Sequence, residues 1–267
     1  MPGPRRALIA GLGLIGGSIG IALRARGWHV AYLDPFVDDA GGAADERVYE
    51  LVDADVVVIA TPVDVAVDVV RSAAVSAAGE APSRRLGGGT PPGQPAGRRR
   101  SAVTSVCSVM SPLRAVAGND FVAGHPLAGS EKHGLAAARG DLFRDKAWFV
   151  DREHPLVAEL VDACGARLEL VDADDHDRAV ALTSHLPQLL STALAAHLRD
   201  ANVDERFVGS GLRTFLRLAE SDASVWAPVL AANAENVSEH LDAVLRIARE
   251  MLRGDDGPFA RAQQFVR

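Results

Sequence analysis

The sequence predicts an α/β chain, with a doubly wound parallel sheet over residues 1–172 followed by an all-helical domain over residues 173–267. Three observations carry that expectation. Short β-branched runs alternate with helical stretches through the first half, a glycine triplet sits at the first strand-to-helix turn, and from Asp172 onward the apolar spacing becomes three and four.

Arg6 to Ala10 reads as a short buried strand that opens into GLGLIG, placing Gly11, Gly13 and Gly16 in Gly-x-Gly-x-x-Gly order. The first glycine permits a tight turn, the second lets a pyrophosphate approach the backbone, and the third lets the next helix pack close. Leu12, Leu14 and Ile15 complete the expected cofactor-binding turn, and the helix that follows offers unpaired N–H groups and a positive dipole end to phosphate. That helix is expected to run to about Ala25, before Gly27. WHVAYLD then supplies a second strand ending in Asp34, eighteen residues after Gly16. A carboxylate there accepts a hydrogen bond from a ribose 2′-hydroxyl and repels a 2′-phosphate, so this Rossmann-type order predicts NAD rather than NADP. The plainer alternative for Asp34 is a turn aspartate before Pro35. Val56 to Ile59 forms the next strand, and Thr61, Pro62 and Val63 beyond it are expected to border the cofactor, because ligands sit past the carboxyl ends of such strands.

The segment from Gly79 to Ser101 holds six glycines, four prolines and five arginines, too little apolar surface to offset its ordering entropy, and is expected to be a mobile loop. AVTSVCS then reads as a strand delivering Ser108, and DFVAGHP as a strand delivering His125. Both strand ends aim at the place where a nicotinamide would lie, so a hydroxyl and an imidazole are expected at the reacting carbon. Ala147 to Val150 and Arg167 to Val171 read as late strands around a helix from Pro155 to Cys164. DADDHDRAVALTSHLPQLL begins with helix-capping acids and continues as a helix with a kink expected at Pro187. These helices are apolar on more than one face, which predicts pairing with a second copy of the chain. Arg213 and Arg217 fall one helical turn apart, and their plain reading is surface pairing with Glu220 or Asp222.

Composition narrows the function. With 28 basic and 35 acidic side chains the formal charge is −7, which argues against nucleic acid or a membrane surface as partner but leaves room for a small anion held by a few arginines. Two cysteines outside any Cys-x-x-Cys spacing point to reduced thiols and a cytoplasmic setting, and no metal is expected. The apolar run after Arg5 and Arg6 is interrupted by five glycines, unlike a signal peptide. Ser108 with His125 could suggest a hydrolase, but no Gly-x-Ser-x-Gly elbow exists.

GLGLIGGS, CSVMSPL, GHPLAGSEKHG, DLF, ALTSHLP and GLRTFLRLAESDASVW, in that order, resemble the prephenate and arogenate dehydrogenases of tyrosine biosynthesis, over about Ala7 to Val237. The resemblance implies NAD-dependent oxidative decarboxylation of a cyclohexadiene acid, with a helical dimerisation domain. It implies that His125 takes the 4-hydroxyl proton, that Ser108 orients that histidine, that Glu131 lies near the substrate, and that Arg217 holds a substrate carboxylate. Arg213 is a second candidate cation, and Trp226 matches a tryptophan near the pocket. Four positions depart from the family pattern. Ser105 and Met110 replace an acid and a lysine around Ser108, Gln188 replaces the last histidine of His-Leu-Pro-His, and Thr214 replaces an aspartate before Arg217. The departures favour, as a second expectation, arogenate or a 4-amino analogue as substrate, and they make inhibition by tyrosine unsafe to infer. A nucleotide-binding regulator without catalysis is the third.

Overall fold

The structure, a computed structural model, describes residues 4–52, 54–77, 101–130 and 132–266, with backbone alone for 72–77. Glu131 and the glycine- and arginine-rich segment before Ser101 lie outside the described residues. The chain forms two compact units, Met1–His176 and Asp177–Arg267.

In the first unit β1 (Arg6–Ala10), β2 (His29–Leu33), β3 (Glu46–Arg47), β4 (Val56–Ile59), β5 (Ala102–Ser105) and β6 (Phe121–Val122) form one sheet in the order β3-β2-β1-β4-β5-β6. Every pairing in it is parallel. Its central strands carry Leu8, Ile9, Val30, Val56, Val58 and Ile59 with no solvent exposure, the continuous apolar run that a sheet covered on both faces requires. Helices α1 (Leu14–Ala25), α2 (Val63–Ala77) and α3 (Ser111–Val116) link the strands. The topological switch lies between β1 and β4, where the connections leave in opposite directions and open a crevice above the strand ends.

A second, three-stranded sheet follows. β7 (Gly124–Pro126) pairs antiparallel with β8 (Ala147–Val150), and β8 pairs parallel with β9 (Arg167–Leu170) across α4 (Pro155–Ala163). Sequence reading placed His125 on the same sheet as Ser108, but the chain changes sheets at Ala123. Asp151 fixes that corner, accepting the Ala123 N–H at 2.8 Å and returning its own N–H to the Ala123 carbonyl at 3.0 Å. The strand before Ser108 also stops earlier than expected, at Ser105, leaving Cys107 and Ser108 on the loop beyond.

The helix α5 (Ala173–Val180) begins in the first unit and carries the chain into the second. There follow α6 (Leu186–Asp200), α7 (Ser210–Leu216), α8 (Ala223–Ala232), α9 (Ala234–Leu252) and α10 (Gly257–Val266). The break expected at Pro187 takes the form of a π-helical turn, Ala181–His185, just ahead of it. Proline has no N–H for the carbonyl four residues back, and widening the preceding turn accommodates the gap. The turn leaves His185 fully buried, its Nδ1 3.1 Å from Asn233 Nδ2, which also donates to the Asp177 carbonyl at 2.8 Å. No helix among the described residues is long and apolar enough to cross a membrane.

Candidate active site

The glycine turn is built as its three residues require. Gly11 has φ +93°, and a Cβ on it would stand 2.6 Å from the Ala60 carbonyl oxygen at the end of β4. Gly16 packs against the Gly11 carbonyl, so α1 starts hard against β1, whereas a Cβ on Gly13 would meet nothing within 4 Å. Open space at Gly13 is what an approaching pyrophosphate needs. The first turn of α1 carries no acidic residue, and its earliest intrahelical bond runs from the Gly17 N–H to Gly13, leaving the N–H groups of Leu14, Ile15 and Gly16 for a ligand.

Asp34 follows β2 and does two jobs. One oxygen accepts the Leu12 N–H at 2.8 Å and the other accepts the Phe36 N–H at 2.8 Å, so the carboxylate holds the glycine turn while shaping its own turn. Each oxygen keeps a second lone pair, enough for a ribose hydroxyl. Arg47, at the end of β3, donates to the Asp34 carbonyl at 3.1 Å and pairs with Asp38. On the other side of the crevice Val63 is buried at the start of α2, Pro62 is exposed, and Thr61 keeps a buried hydroxyl with no hydrogen-bond partner among the described residues. An orphaned hydroxyl beside an open glycine turn fits a dinucleotide between them.

His125 reaches the same edge of the parallel sheet. Ile59 of β4 is paired with Ser105 of β5, so the seats of Gly11 and Gly124 are on neighbouring strand ends. A Cβ on Gly124 would stand 2.8 Å from the Ser105 carbonyl oxygen, and the Gly124 N–H donates to Ser105 Oγ at 3.3 Å. Only glycine lets β7 press this closely on β5, and Ser105 thereby ties the two sheets together. His125 is half-buried. Its Nδ1 lies 2.9 Å from Nε2 of His176, and the rings meet nearly perpendicular with centroids 5.1 Å apart.

Ser108 is half-buried on the loop after β5 and makes no hydrogen bond to His125 among the described residues; the Nδ1 position belongs to His176 instead. Its neighbour Cys107 is buried against the Thr61 carbonyl, and burial pushes its thiol up to about 12, so it is no nucleophile near neutral pH. His176 escaped sequence reasoning, and Ser105 was read only as a departure from the family pattern. The signal for His176 was its place on the apolar stripe Ala173, His176, Val180 of an otherwise acidic helix.

In the second unit Arg213 ends α7 and Arg217 opens a 3₁₀ turn, Arg217–Glu220. Both are exposed, and among the described residues neither forms an ion pair, so the plain alternative of pairing with Glu220 or Asp222 is not made; Asp222 caps α8 through the Ser224 N–H. Trp226 is half-buried and meets the His185 ring edge-on, centroids 6.0 Å apart. Gln188 is buried and fully used. It donates to the Leu218 carbonyl at 2.7 Å and to Thr192 at 3.1 Å, and accepts from Ser221 at 3.4 Å, binding α6 to the turn that carries Arg217.

Comparison with known proteins decides the family. Residues 101–170 match the model for the nucleotide-binding domain of prephenate dehydrogenase, and residues 172–255 match that for its dimerisation domain. A relative from Streptomyces niveus, "Probable prephenate dehydrogenase NovF", is 32% identical across 98% of this chain and 75% of its own length. The chain belongs to the prephenate dehydrogenase family. A second family member, the prephenate dehydrogenase of Lactococcus lactis subsp. cremoris, is 26% identical over 90% of this chain and 70% of its own. The fold is shared with the Aquifex aeolicus prephenate dehydrogenase solved with hydroxyphenyl propionate and NAD+, at a TM-score of 0.78 and 22% identity, over 99% of this chain and 96% of that one.

Proposed function

We propose that this member of the family oxidises prephenate with NAD+, releasing CO2 and 4-hydroxyphenylpyruvate. The observation that carries the reading is the seating of the Gly124–His125 segment on the strand end beside the one that seats the Gly11 turn. When bound, NAD+ supplies the acceptor for the hydride leaving C4 of the ring. The electron pair of the ring–carboxylate bond closes the aromatic sextet as CO2 departs. His125 holds the 4-hydroxyl proton while C4 is electron-poor and returns it to the phenol oxygen, help typically worth ~10²–10⁴ in rate. The N–H groups at the start of α1 hold the pyrophosphate, Asp34 the ribose and Thr61 the nicotinamide side. Arg217 supplies the cation for a substrate carboxylate, a planar fork suited to two parallel hydrogen bonds. Ser108, Glu131, Arg213 and Trp226 are further candidates for substrate contact.

The test is to mix the purified chain, NAD+ and prephenate and follow absorbance at the NADH band. Turnover is expected, and silence with prephenate would sink the reading. The departures at Ser105, Gln188 and Thr214 favour arogenate or a 4-amino analogue as second reading. The ratio of kcat/KM among these substrates decides between them.

The same reading includes a homodimer formed through the helical unit. Its support is the match to a dimerisation domain together with the exposed apolar side chains Leu252, Phe259, Phe265 and Val266 on α9 and α10. Light scattering after size exclusion is expected to give the mass of two chains, and a monomer at micromolar concentration would remove this part.

A further inference from the structure

His176 is almost wholly buried, at 2% exposure, and is held from several sides. Asp172 caps its helix by accepting the N–H groups of Asp174 and Asp175, at 2.9 and 3.2 Å. Ser111, at the start of α3, donates to the Asp174 carboxylate. The Phe149 ring, directly across the β7–β8 pair from His125, lies against the His176 imidazole with centroids 5.7 Å apart. A side chain fixed this firmly defines where its Nε2 points, and it points at His125 Nδ1.

Across that gap one ring nitrogen can donate a hydrogen to the other. A ring N–H and a ring lone pair each lie in their own ring plane, so perpendicular rings still make one straight hydrogen bond. We propose that His176 is a positioning residue for the base: it accepts the Nδ1–H of His125, fixes the tautomer that bears its lone pair on Nε2, and steadies the imidazolium that forms. The inference rests on the base role assigned above. A buried group that fixes a catalytic imidazole is usually a carboxylate. A neutral imidazole does the same work without adding a charge beside an anionic substrate. The proton balance is simple. The 4-hydroxyl proton goes to His125 Nε2, the Nδ1–H stays in place, and His176 remains neutral, because a cationic imidazole has no lone pair to accept with.

The proposal distinguishes glutamine from asparagine. A glutamine at 176 places its amide oxygen near the position of Nε2, within reach of His125, whereas an asparagine reaches only as far as Nδ1. With prephenate turnover first measured for the wild type, we expect His176→Leu and His176→Asn to lower kcat by ~10²–10³, within the range for general-base help. KM for prephenate and the Kd for NAD+, read by fluorescence quenching, should change less than about threefold. His176→Gln should recover kcat to within about tenfold of wild type. In a His125→Asn background the further change His176→Leu should cost almost nothing, because the residue acts through the ring already removed. A merely structural role would instead add its loss to that of His125→Asn and would move NAD+ binding as well. If His176→Leu fails to bind NAD+, the Gln and Asn variants carry the comparison, and equal kcat in those two overturns the proposal. Full activity of folded His176→Leu beside an active wild type removes this inference and leaves the proposed function standing. An inactive wild type removes both.

Discussion

At the scale of single residues the assignments separate chemistry from binding. Changing His125 to Asn is expected to lower kcat by ~10²–10⁴ with little effect on the Kd for NAD+, since it deletes a contact needed in the transition state. Stopped-flow turnover and fluorescence titration read the two effects apart. Arg217→Ala should act the other way, raising KM for prephenate by roughly 10–100-fold, the size of one hydrogen bond to a charged group. A normal KM would hand the role to Arg213, which is equally exposed and equally free of ion pairs among the described residues. Asp34→Ala removes both the proposed ribose acceptor and the group that holds the Leu12 N–H. NAD+ affinity should fall about tenfold or more, and the preference for NAD+ over NADP+ should narrow because the repelling charge is gone. Titration with both cofactors checks this. The roles proposed for His125 and Arg217 came from the resemblance, whereas the place of Asp34 beside the glycine turn was legible because that motif's spacing has a mechanical reason. His176 was not, since a lone histidine on a helix stripe looks like core until its ring nitrogen is seen 2.9 Å from another.

At the scale of elements, the close approach of β7 to β5 is the joint on which the site depends. Gly124→Ala would drive a methyl group to 2.8 Å from the Ser105 carbonyl oxygen, backbone that cannot swing aside. The cost should be about 1–3 kcal/mol of stability, as for other overpacked interiors, and would be read as a lowered midpoint in denaturant. Turnover should fall with it, because the strand carrying His125 must move. An unchanged midpoint would show that the strand end has slack. The strands β1, β2, β4 and β8 and the helix α1 were readable from period and punctuation. The two-residue β3 was not, since its Glu46 and Arg47 carry no apolar pattern and pair with β2 only because the edge is free. The change of sheet at Ala123 was hidden for a different reason. FVAGHP reads as one run of extended chain, and only the Asp151 carboxylate, 28 positions later, turns it. Likewise Pro187 announced a break but not its form, because whether a helix kinks or widens depends on what the displaced residue meets, here Asn233.

For the molecule as a whole, alkaline stability follows from the two buried thiols. Burial pushes both Cys107 and Cys164 up to about 12. In the unfolded chain they ionise near the ordinary thiol value of 9.0, so the folded state holds more protons above that pH. The thiols' contribution is therefore intact below about pH 9 and is lost as pH climbs toward 12. The midpoint of thermal unfolding should drop faster between pH 9 and 11 for the wild type than for Cys164→Ala, and parallel curves would discard the account. The doubly wound, parallel character of the six-stranded sheet was visible from the alternation of strands and helices, and the helical character of the second unit from its spacing.

The passage of the chain from one sheet to the other at Ala123 has a consequence for how such an enzyme can be altered. The cradle for the dinucleotide hangs from the first sheet, whereas the imidazole hangs from the second, and a short bend joins them. With the roles proposed above, coenzyme preference and proton chemistry would be separately adjustable: an engineer could recut the surroundings of Asp34 for a phosphorylated ribose and leave His125 on β7 and His176 on α5 undisturbed.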